Sequence, residues 1–282
     1  MLRALLSLGN EHVLRPFDLK VVRRSRVPCY AGESQPETKR IAFFHPPKCG
    51  GTSVGKLLAI AFGGPAGLDP IAAEAAAHNL GLAGAREREA ILAYLVQRRD
   101  AWFISGHFPY SRRAFQGHEE EFDLITILRN PLSRTLSHYY FNRFREGREH
   151  FSIEAELADW LRTDQARAAA RTFTTMFVGD IDAARQLAIG GNKHEMGAAA
   201  AQAIENLKRF TIVGTLECLS EFERAIQRRY GVRAAAGHLR NNAGYPRFAE
   251  QPAEVQDRLR ELCQEDMMIY ESVTKPQALA AQ

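Results

Sequence analysis

The segment from Ile41 to Ser53 constrains the fold of this chain more than any other part of the sequence. It begins with the apolar run IAFF, which suits a buried strand, continues through the bend HPPKCGG and ends in the hydroxyl pair TS. Residues 54–62 then carry apolar side chains at intervals of three and four, which predicts an amphipathic helix that ends at Gly63. A strand, a glycine-rich bend and a helix N-terminus in this order are typical of a phosphate-binding loop, because unpaired backbone N–H groups and the helix dipole attract an anion there.

Apolar runs alternate with helical patterns along the rest of the chain. Strands are predicted at 101–107, 122–128 and 210–214, and the helical patterns lie at 72–82, 87–99, after Pro131, within 153–209, around Phe222 and at 252–270. This alternation predicts an α/β fold with a central parallel sheet flanked by helices. Ligands of such folds bind at the carboxyl ends of the strands, where Lys48, His107 and Arg129 each follow a predicted strand.

Length and composition indicate an ordinary globular protein. The 282 residues are 45% hydrophobic and 25% charged, and we expect an N-terminal extension at 1–40, one domain at 41–275 and a tail at 276–282. A net charge of +4 favours an anionic ligand over nucleic acid as a partner. The four cysteines are scattered, which argues against a metal site or a disulfide framework, and no apolar run approaches the ~20 residues of a bilayer span. We therefore expect a cytoplasmic protein.

The loop resembles two kinds of phosphate site. Residues 50–57, GGTSVGKL, nearly match the nucleoside triphosphate loop, but Leu57 stands where that loop has a hydroxyl that ligates Mg²⁺. The third predicted strand ends at Arg129, whereas a kinase or NTPase normally places an acidic residue at a strand end. The better-placed lysine is Lys48, inside the bend. These residues favour a nucleotide phosphate bound without a metal, with a kinase or NTPase as the alternative.

Residues 45–53, HPPKCGGTS, resemble the 5′-phosphosulfate loop of carbohydrate-type sulfotransferases, whose donor is 3′-phosphoadenosine 5′-phosphosulfate (PAPS). Residues 129–140, RNPLSRTLSHYY, resemble the 3′-phosphate motif of the same family, and the match is anchored at 41–56 and 101–141. The resemblance implies a P-loop-like three-layer fold and metal-free binding of PAPS. The residues that it assigns to donor binding are Lys48, Cys49, Gly50, Gly51, Thr52, Ser53, Arg129 and Ser137.

The 3′-phosphate motif is also physically plausible by itself. The planar fork of Arg129 matches phosphate oxygens, and a helix that begins at Pro131 after an Asn130 cap adds backbone donors and its dipole. Arg134 and Ser137 lie on one face of that helix. For Arg134, a surface ion pair is nearly as plausible as a role in the site.

The family resemblance extends to the catalytic groups. His107, in the segment SGHFPY, matches a histidine of the uronyl 2-O-sulfotransferases and is the candidate general base, while Lys48 would stabilise the charge on the leaving group. A glutamate base, as in other sulfotransferases, remains an alternative that no motif assigns. We interpret His45 as a residue that braces the loop and Cys49 as a small loop residue.

The acceptor is the least constrained part of this hypothesis. The resemblance implies a hydroxyl of a carbohydrate or glycolipid, and the latter leaves open a peripheral membrane contact. The sequence gives no indication of the oligomeric state. A protein that binds the nucleotide without turnover is the third alternative.

Overall fold

A computed structural model describes residues 39–63, 85–144, 152–231 and 245–275. Within these ranges four strands form one sheet, in the spatial order β2-β1-β3-β4, and every neighbouring pair is parallel. The strands are β1 (Arg40–Phe44), β2 (Phe103–Gly106), β3 (Phe122–Leu128) and β4 (Ile212–Thr215). The predicted α/β class and the parallel sheet are confirmed.

The order of the strands reverses at β1. The chain leaves β1, passes through the helices α1 (Gly51–Phe62) and α2 (Ala85–Gln97), and adds β2 on one side, whereas β3 pairs with the other side of β1. Phe44 near the end of β1 is in register with Gly106 of β2 and with Thr126 of β3. The connections that leave β1 towards β2 and β3 towards β4 therefore diverge at the carboxyl ends of these strands, where folds of this kind have a crevice.

The remaining helices pack around this sheet and around one another. In chain order they are α3 (Pro131–Arg143), α4 (Leu157–Trp160), α5 (Asp164–Ala170), α6 (Thr172–Phe177), α7 (Ile181–Gly190), α8 (Lys193–Leu207), α9 (Leu219–Tyr230), α10 (Ala253–Leu262) and α11 (Gln264–Thr274). Short 3₁₀ turns lie at Glu119–Glu121, Leu216–Cys218 and Phe248–Glu250.

The burial of the strands shows that both faces of the sheet are covered at its centre. All seven residues of β3 are buried, including both sets of alternating side chains, so neither face of this strand meets water. Aromatic rings from the loops next to the strands close the core, with Phe44 packed against Tyr110, Phe115 and Phe210 at centroid distances of 5.4–6.0 Å. A second apolar cluster joins α3 to α4, α5 and α10.

Two sequence predictions about helices were wrong in detail. The pattern at 252–270 predicted one helix, but the chain forms α10 and α11 with a break at Cys263, whose thiol is buried beside Thr135. In α2 the buried side chains are Leu92, Leu95 and Val96, whereas Tyr94, which the spacing of Ile91, Tyr94 and Leu95 predicts on the inward face, is 54% exposed.

Several predictions fall wholly or largely outside the described residues. These are the helix at 72–82, nearly all of the N-terminal extension and the tail at 276–282. Of the helices that the structure does describe, none has both the length and the apolar character needed to cross a membrane.

Candidate functional site

The bend after β1 has an unusual backbone conformation just before α1. Lys48 has φ +70° and Gly50 has φ +75°, and Lys48 is the one non-glycine residue with positive φ among those described. A left-handed lysine costs on the order of 1 kcal/mol and persists only where neighbouring contacts hold it. The residue that follows β3 supplies such a contact: Arg129 Nη1 donates a hydrogen bond of 3.1 Å to the Lys48 carbonyl oxygen.

Two backbone N–H groups at this bend lack an acceptor within the helix. Gly50 is the N-cap of α1 and provides no side-chain cap, while the N–H groups of Ser53 and Val54 both donate to its carbonyl oxygen. The N–H groups of Gly51 and Thr52, at the first turn, have no acceptor within the helix. They are the backbone donors that the sequence predicted for a phosphate, whereas the Cys49 N–H already donates to the Pro46 oxygen at 3.3 Å.

Cys49 lies beneath the loop. Its thiol is fully buried in the core, and burial raises its pKa to about 12, so it stays protonated at neutral pH. This agrees with the interpretation of Cys49 as a small residue that the bend requires.

His45 braces the loop from the core side, in agreement with the prediction. Its ring is buried, stacks on Phe43 at 5.7 Å and fills the space behind Gly51. A Cβ atom on Gly51 would lie 1.7 Å from His45 Nε2, so only glycine fits at this position. Burial, reinforced by the neighbouring His107, holds the pKa of His45 well below its usual value, and the ring stays neutral.

His107, which directly follows β2, contacts the same loop. Its Nδ1 lies 2.5 Å from the His45 carbonyl oxygen, and its ring centroid lies 4.3 Å from that of His45. A carbonyl oxygen only accepts hydrogen bonds, so Nδ1 carries the proton and Nε2 carries the lone pair. The backbone therefore fixes the tautomer that a general base requires at Nε2.

Lys48 also contacts α3, an interaction that the sequence analysis missed. Its Nζ lies 3.3 Å from the ring centroid of Phe141, within the range of a cation–π interaction. Phe141 follows Ser137 by one helical turn on the same face of α3, and this spacing could have indicated that Phe141 lies near the site.

The N-terminus of α3 differs from the prediction. Asn130 caps the helix as expected, but its side chain accepts the N–H groups of Leu132 and Ser133, and its own N–H donates to Glu217. Pro131 has no N–H group. The backbone donors expected here for a 3′-phosphate are therefore already used, and side chains would have to bind it.

Arg129 and Ser137 are the two side chains predicted for that phosphate. Arg129 is half-buried, and burial lowers its pKa without making it neutral at physiological pH. Ser137 is buried on α3, two turns along the helix, and no hydrogen bond joins it to Arg129 within the described part of the chain. The structure thus brings Lys48, His107 and Arg129 together and leaves Ser137 at the side of the crevice.

Arg134 is buried beneath α3, so the interpretation as a surface ion pair was wrong. It is 0% exposed and donates to Thr135 Oγ1 and to the Ala169 carbonyl oxygen. Its Nε and Nη1 atoms have no hydrogen-bond partner among the described residues. The buried Asp266 balances part of this charge. Burial raises the pKa of its carboxyl to about 6, whereas Arg134 and three hydrogen-bond donors on Phe173 and Thr174 act to lower that pKa.

This buried cation also acts on His138, which the sequence analysis left out. Burial, with smaller contributions from Arg134 and Lys48, lowers the pKa of His138 to about 4. Asn142 Nδ2 donates to its Nε2 at 3.0 Å, and the ring stacks on Trp160. A second imidazole that burial keeps neutral, after His45, thus lies near the loop lysine.

Comparison with known proteins adds no assignment. No protein-family model matches the chain, and no curated protein shows significant similarity to it. Within the described residues, no group of three histidine, cysteine or acidic side chains is arranged to hold a metal ion. The site is therefore interpreted from its own geometry.

The contact behind Gly51 gives a first prediction. Gly51→Ala forces its new methyl group into the His45 ring, and we expect a loss of about 2–3 kcal/mol in the free energy of unfolding, measured in urea. Gly55→Ala, one turn along the same helix, is the matched control, since nothing lies within 4 Å of its added Cβ. It should gain up to about 1 kcal/mol. Equal stabilities for the two variants would contradict the bracing role of His45.

The depressed pKa of His138 predicts a pH dependence of stability. The unfolded chain protonates this imidazole near pH 6.5 and the folded chain near pH 4, so its contribution is complete above 6.5 and is lost as the pH falls towards 4. In His138→Gln, the stability lost between pH 7.5 and 4.5 should be about 2–3 kcal/mol smaller than in the wild type. Urea denaturation at both pH values tests this, with the exposed His194→Gln as control, and a slope equal to that of the wild type would refute it.

Proposed function

We propose that this protein is a P-loop-like three-layer sulfotransferase that moves a sulfuryl group from PAPS to a hydroxyl of a carbohydrate or glycolipid. The observation that carries the proposal is the convergence at one sheet edge of three groups from adjacent strands. These are the loop of Lys48 after β1, the tautomer-locked His107 after β2, and Arg129 after β3. Neighbouring strands lie about 4.8 Å apart, so the three groups span a distance suited to one small ligand.

The positive charges and N–H groups of this site suit a sulfuryl donor that has two anionic ends. The N–H groups of Gly51 and Thr52, the dipole of α1 and the Lys48 ammonium favour one phosphate-like group. The Arg129 guanidinium, one strand away, favours another. PAPS carries a 5′-phosphosulfate and a 3′-phosphate, and when bound it would supply the sulfuryl group.

The residues of the chain have separate tasks in this reaction. His107 Nε2 takes the proton of the acceptor hydroxyl as its oxygen forms the new bond to sulfur. The bond between sulfur and the donor's 5′-phosphate oxygen breaks, and adenosine 3′,5′-bisphosphate leaves with that oxygen's negative charge. Lys48 stabilises the charge, for which its ammonium leaves the ring of Phe141. The His45 carbonyl holds His107 in the required orientation throughout.

The alternative of a kinase or NTPase has less structural support. Leu57, which stands where the triphosphate loop has its Mg²⁺-binding hydroxyl, is 1% exposed and packs in the core. Lys56, the lysine of that motif, points to solvent. The inactive nucleotide-binding alternative shares the donor site and differs only in turnover.

Donor binding tests the proposal first. Adenosine 3′,5′-bisphosphate should raise the melting temperature, and Mg-ATP should not. At a bisphosphate concentration of 100 Kd, the free energy of unfolding should increase by about 2.7 kcal/mol. Arg129→Ala should weaken bisphosphate binding at least about tenfold, because a charge-assisted phosphate contact is lost together with the anchor of the Lys48 carbonyl. The exposed Arg162→Ala is the control. Stabilisation by Mg-ATP alone would favour the kinase alternative and refute ours.

The base is tested by His107→Gln. We expect turnover, measured with radiolabelled PAPS on an acceptor found by screening glycans and glycolipids, to fall about 10²–10⁴-fold, while the dissociation constant of the bisphosphate stays within about twofold. His194→Gln should leave both quantities unchanged. Turnover at the wild-type rate in His107→Gln would remove His107 from the mechanism and return the unassigned carboxylate as the candidate.

A further inference from the structure

We infer that Glu217 recognises the ribose of the donor by accepting a hydrogen bond from its 2′-hydroxyl group. This inference rests on the proposed function, because it requires the 3′-phosphate of the donor to bind at Arg129. It adds to the donor site a specificity-determining residue for which the sequence predicted no role.

Glu217 lies beside Arg129 at the carboxyl edge of the sheet. The strands β3 and β4 are parallel neighbours with Leu128 in register with Thr215, so the residues that follow the two strands lie at the same edge. Arg129 comes directly after β3, and Glu217 lies in the 3₁₀ turn Leu216–Cys218, directly after β4. Two adjacent strands thus bring an arginine and a glutamate to one part of the site.

A backbone hydrogen bond fixes the position of the Glu217 carboxylate. Its Oε1 accepts the N–H group of Asn130 at 2.9 Å, and that nitrogen lies about 2.4 Å from the Cα atom of Arg129 across the peptide bond. The carboxylate oxygen is therefore no more than about 5.3 Å from this Cα atom. Its Oε2 accepts the hydroxyl group of Tyr270, on α11, at 3.0 Å. Two contacts from different elements hold the side chain in place.

The charges of the two residues favour a ligand that has an anionic group beside a hydroxyl group. Burial lowers the pKa of Arg129, whereas Glu217 is among the groups that raise it, so the two charges interact. Arg129 favours a phosphate, but the neighbouring carboxylate repels a second anion and favours a neutral hydrogen-bond donor. In a nucleotide with a 3′-phosphate, the 2′-hydroxyl is such a donor, on the adjacent carbon atom of the ribose.

Glu217 retains the capacity to accept this hydrogen bond. A carboxylate has about four lone-pair sites, and the bonds from Asn130 and Tyr270 use two of them. Glu217 is also exposed, so a ligand can reach it. Dinucleotide-binding folds with open parallel sheets use an acidic side chain for the ribose 2′-hydroxyl in the same chemical way.

The hydrogen bond from Asn130 also gives Glu217 a structural role. It satisfies an N–H group at the N-terminus of α3, where the helix dipole favours a negative charge. Loss of this contact alone would weaken every ligand of Arg129 to the same extent. Recognition of the hydroxyl group instead changes the preference between ligands that differ only at that group, and this preference separates the two roles.

The test compares two nucleotides on matched variants. Adenosine 3′,5′-bisphosphate and 2′-deoxyadenosine 3′,5′-bisphosphate differ only in the 2′-hydroxyl, and isothermal titration calorimetry on the full chain gives their dissociation constants. The variants are Glu217→Ala and Glu217→Gln, of which the second keeps an oxygen for the Asn130 N–H group. Glu221→Ala is the control, since Glu221 is an exposed glutamate four residues further along, in α9.

We expect the wild type and Glu221→Ala to bind the ribonucleotide at least about tenfold more tightly than the deoxyribonucleotide, because the hydrogen bond involves a charged acceptor. Glu217→Ala should reduce this ratio to about twofold or less. Glu217→Gln should give an intermediate ratio, because a neutral acceptor forms a weaker bond. If Glu217→Ala binds neither nucleotide, the ratio in Glu217→Gln decides between the two roles.

An unchanged ratio in the Glu217 variants would overturn the inference. The two nucleotides also differ in the preferred pucker of the sugar ring, so a preference in the wild type supports the inference only if it decreases when Glu217 is replaced. Glu217 variants that weaken both nucleotides equally would leave this residue with the structural role alone.

The inference and the proposed function fail in different ways. If the wild type binds both nucleotides without preference, Glu217 does not recognise the ribose, and the donor site remains. If the preference depends on Glu217 but no acceptor in the screen is sulfated, the sulfotransferase proposal is wrong and the ribose contact remains. If neither nucleotide binds to the wild type, both are wrong.

Discussion

The parallel pairing of β1 with β3 is the constraint on which the site depends. This pairing puts the end of β3 beside the bend that follows β1, and Arg129 then donates to the Lys48 carbonyl across the two strand ends. Without that bond, a lysine at φ +70° would relax to a more favourable conformation, and the first turn of α1 would lose its orientation. The same reversal of strand order opens the crevice in which these groups meet.

Buried ionisable groups set the electrostatic potential of the crevice. Arg134 places a cation beneath α3, while His45 and His138 keep depressed pKa values because they are buried near other positive or ionisable groups. These two imidazoles are thereby neutral at physiological pH, so Arg129, Arg134 and Lys48 contribute the positive potential. A positive potential of this kind favours an anionic ligand.

Local signals were sufficient for most of the fold. The seven-residue run of β3 was predicted with its observed bounds, and the Asn130 cap followed by Pro131 marked the start of α3 correctly. The break at Cys263 was not predicted, because the periodicity of residues 252–270 continues across it and the break depends on packing of Cys263 against Thr135 and Pro131. The exposure of Tyr94 likewise depends on which neighbours cover α2.

The sequence by itself determined the strand–bend–helix unit, the parallel sheet and the strand-end positions of Lys48, His107 and Arg129, because these follow from local periodicity, turn residues and the direction of parallel strands. Only the tertiary structure decided which atoms meet. It joined the Asn130 N–H group to the Glu217 carboxylate, set the tautomer of His107 through the His45 carbonyl, and buried Arg134 against the Ala169 carbonyl. These contacts join residues far apart in the chain, and no local pattern encodes such long-range distances.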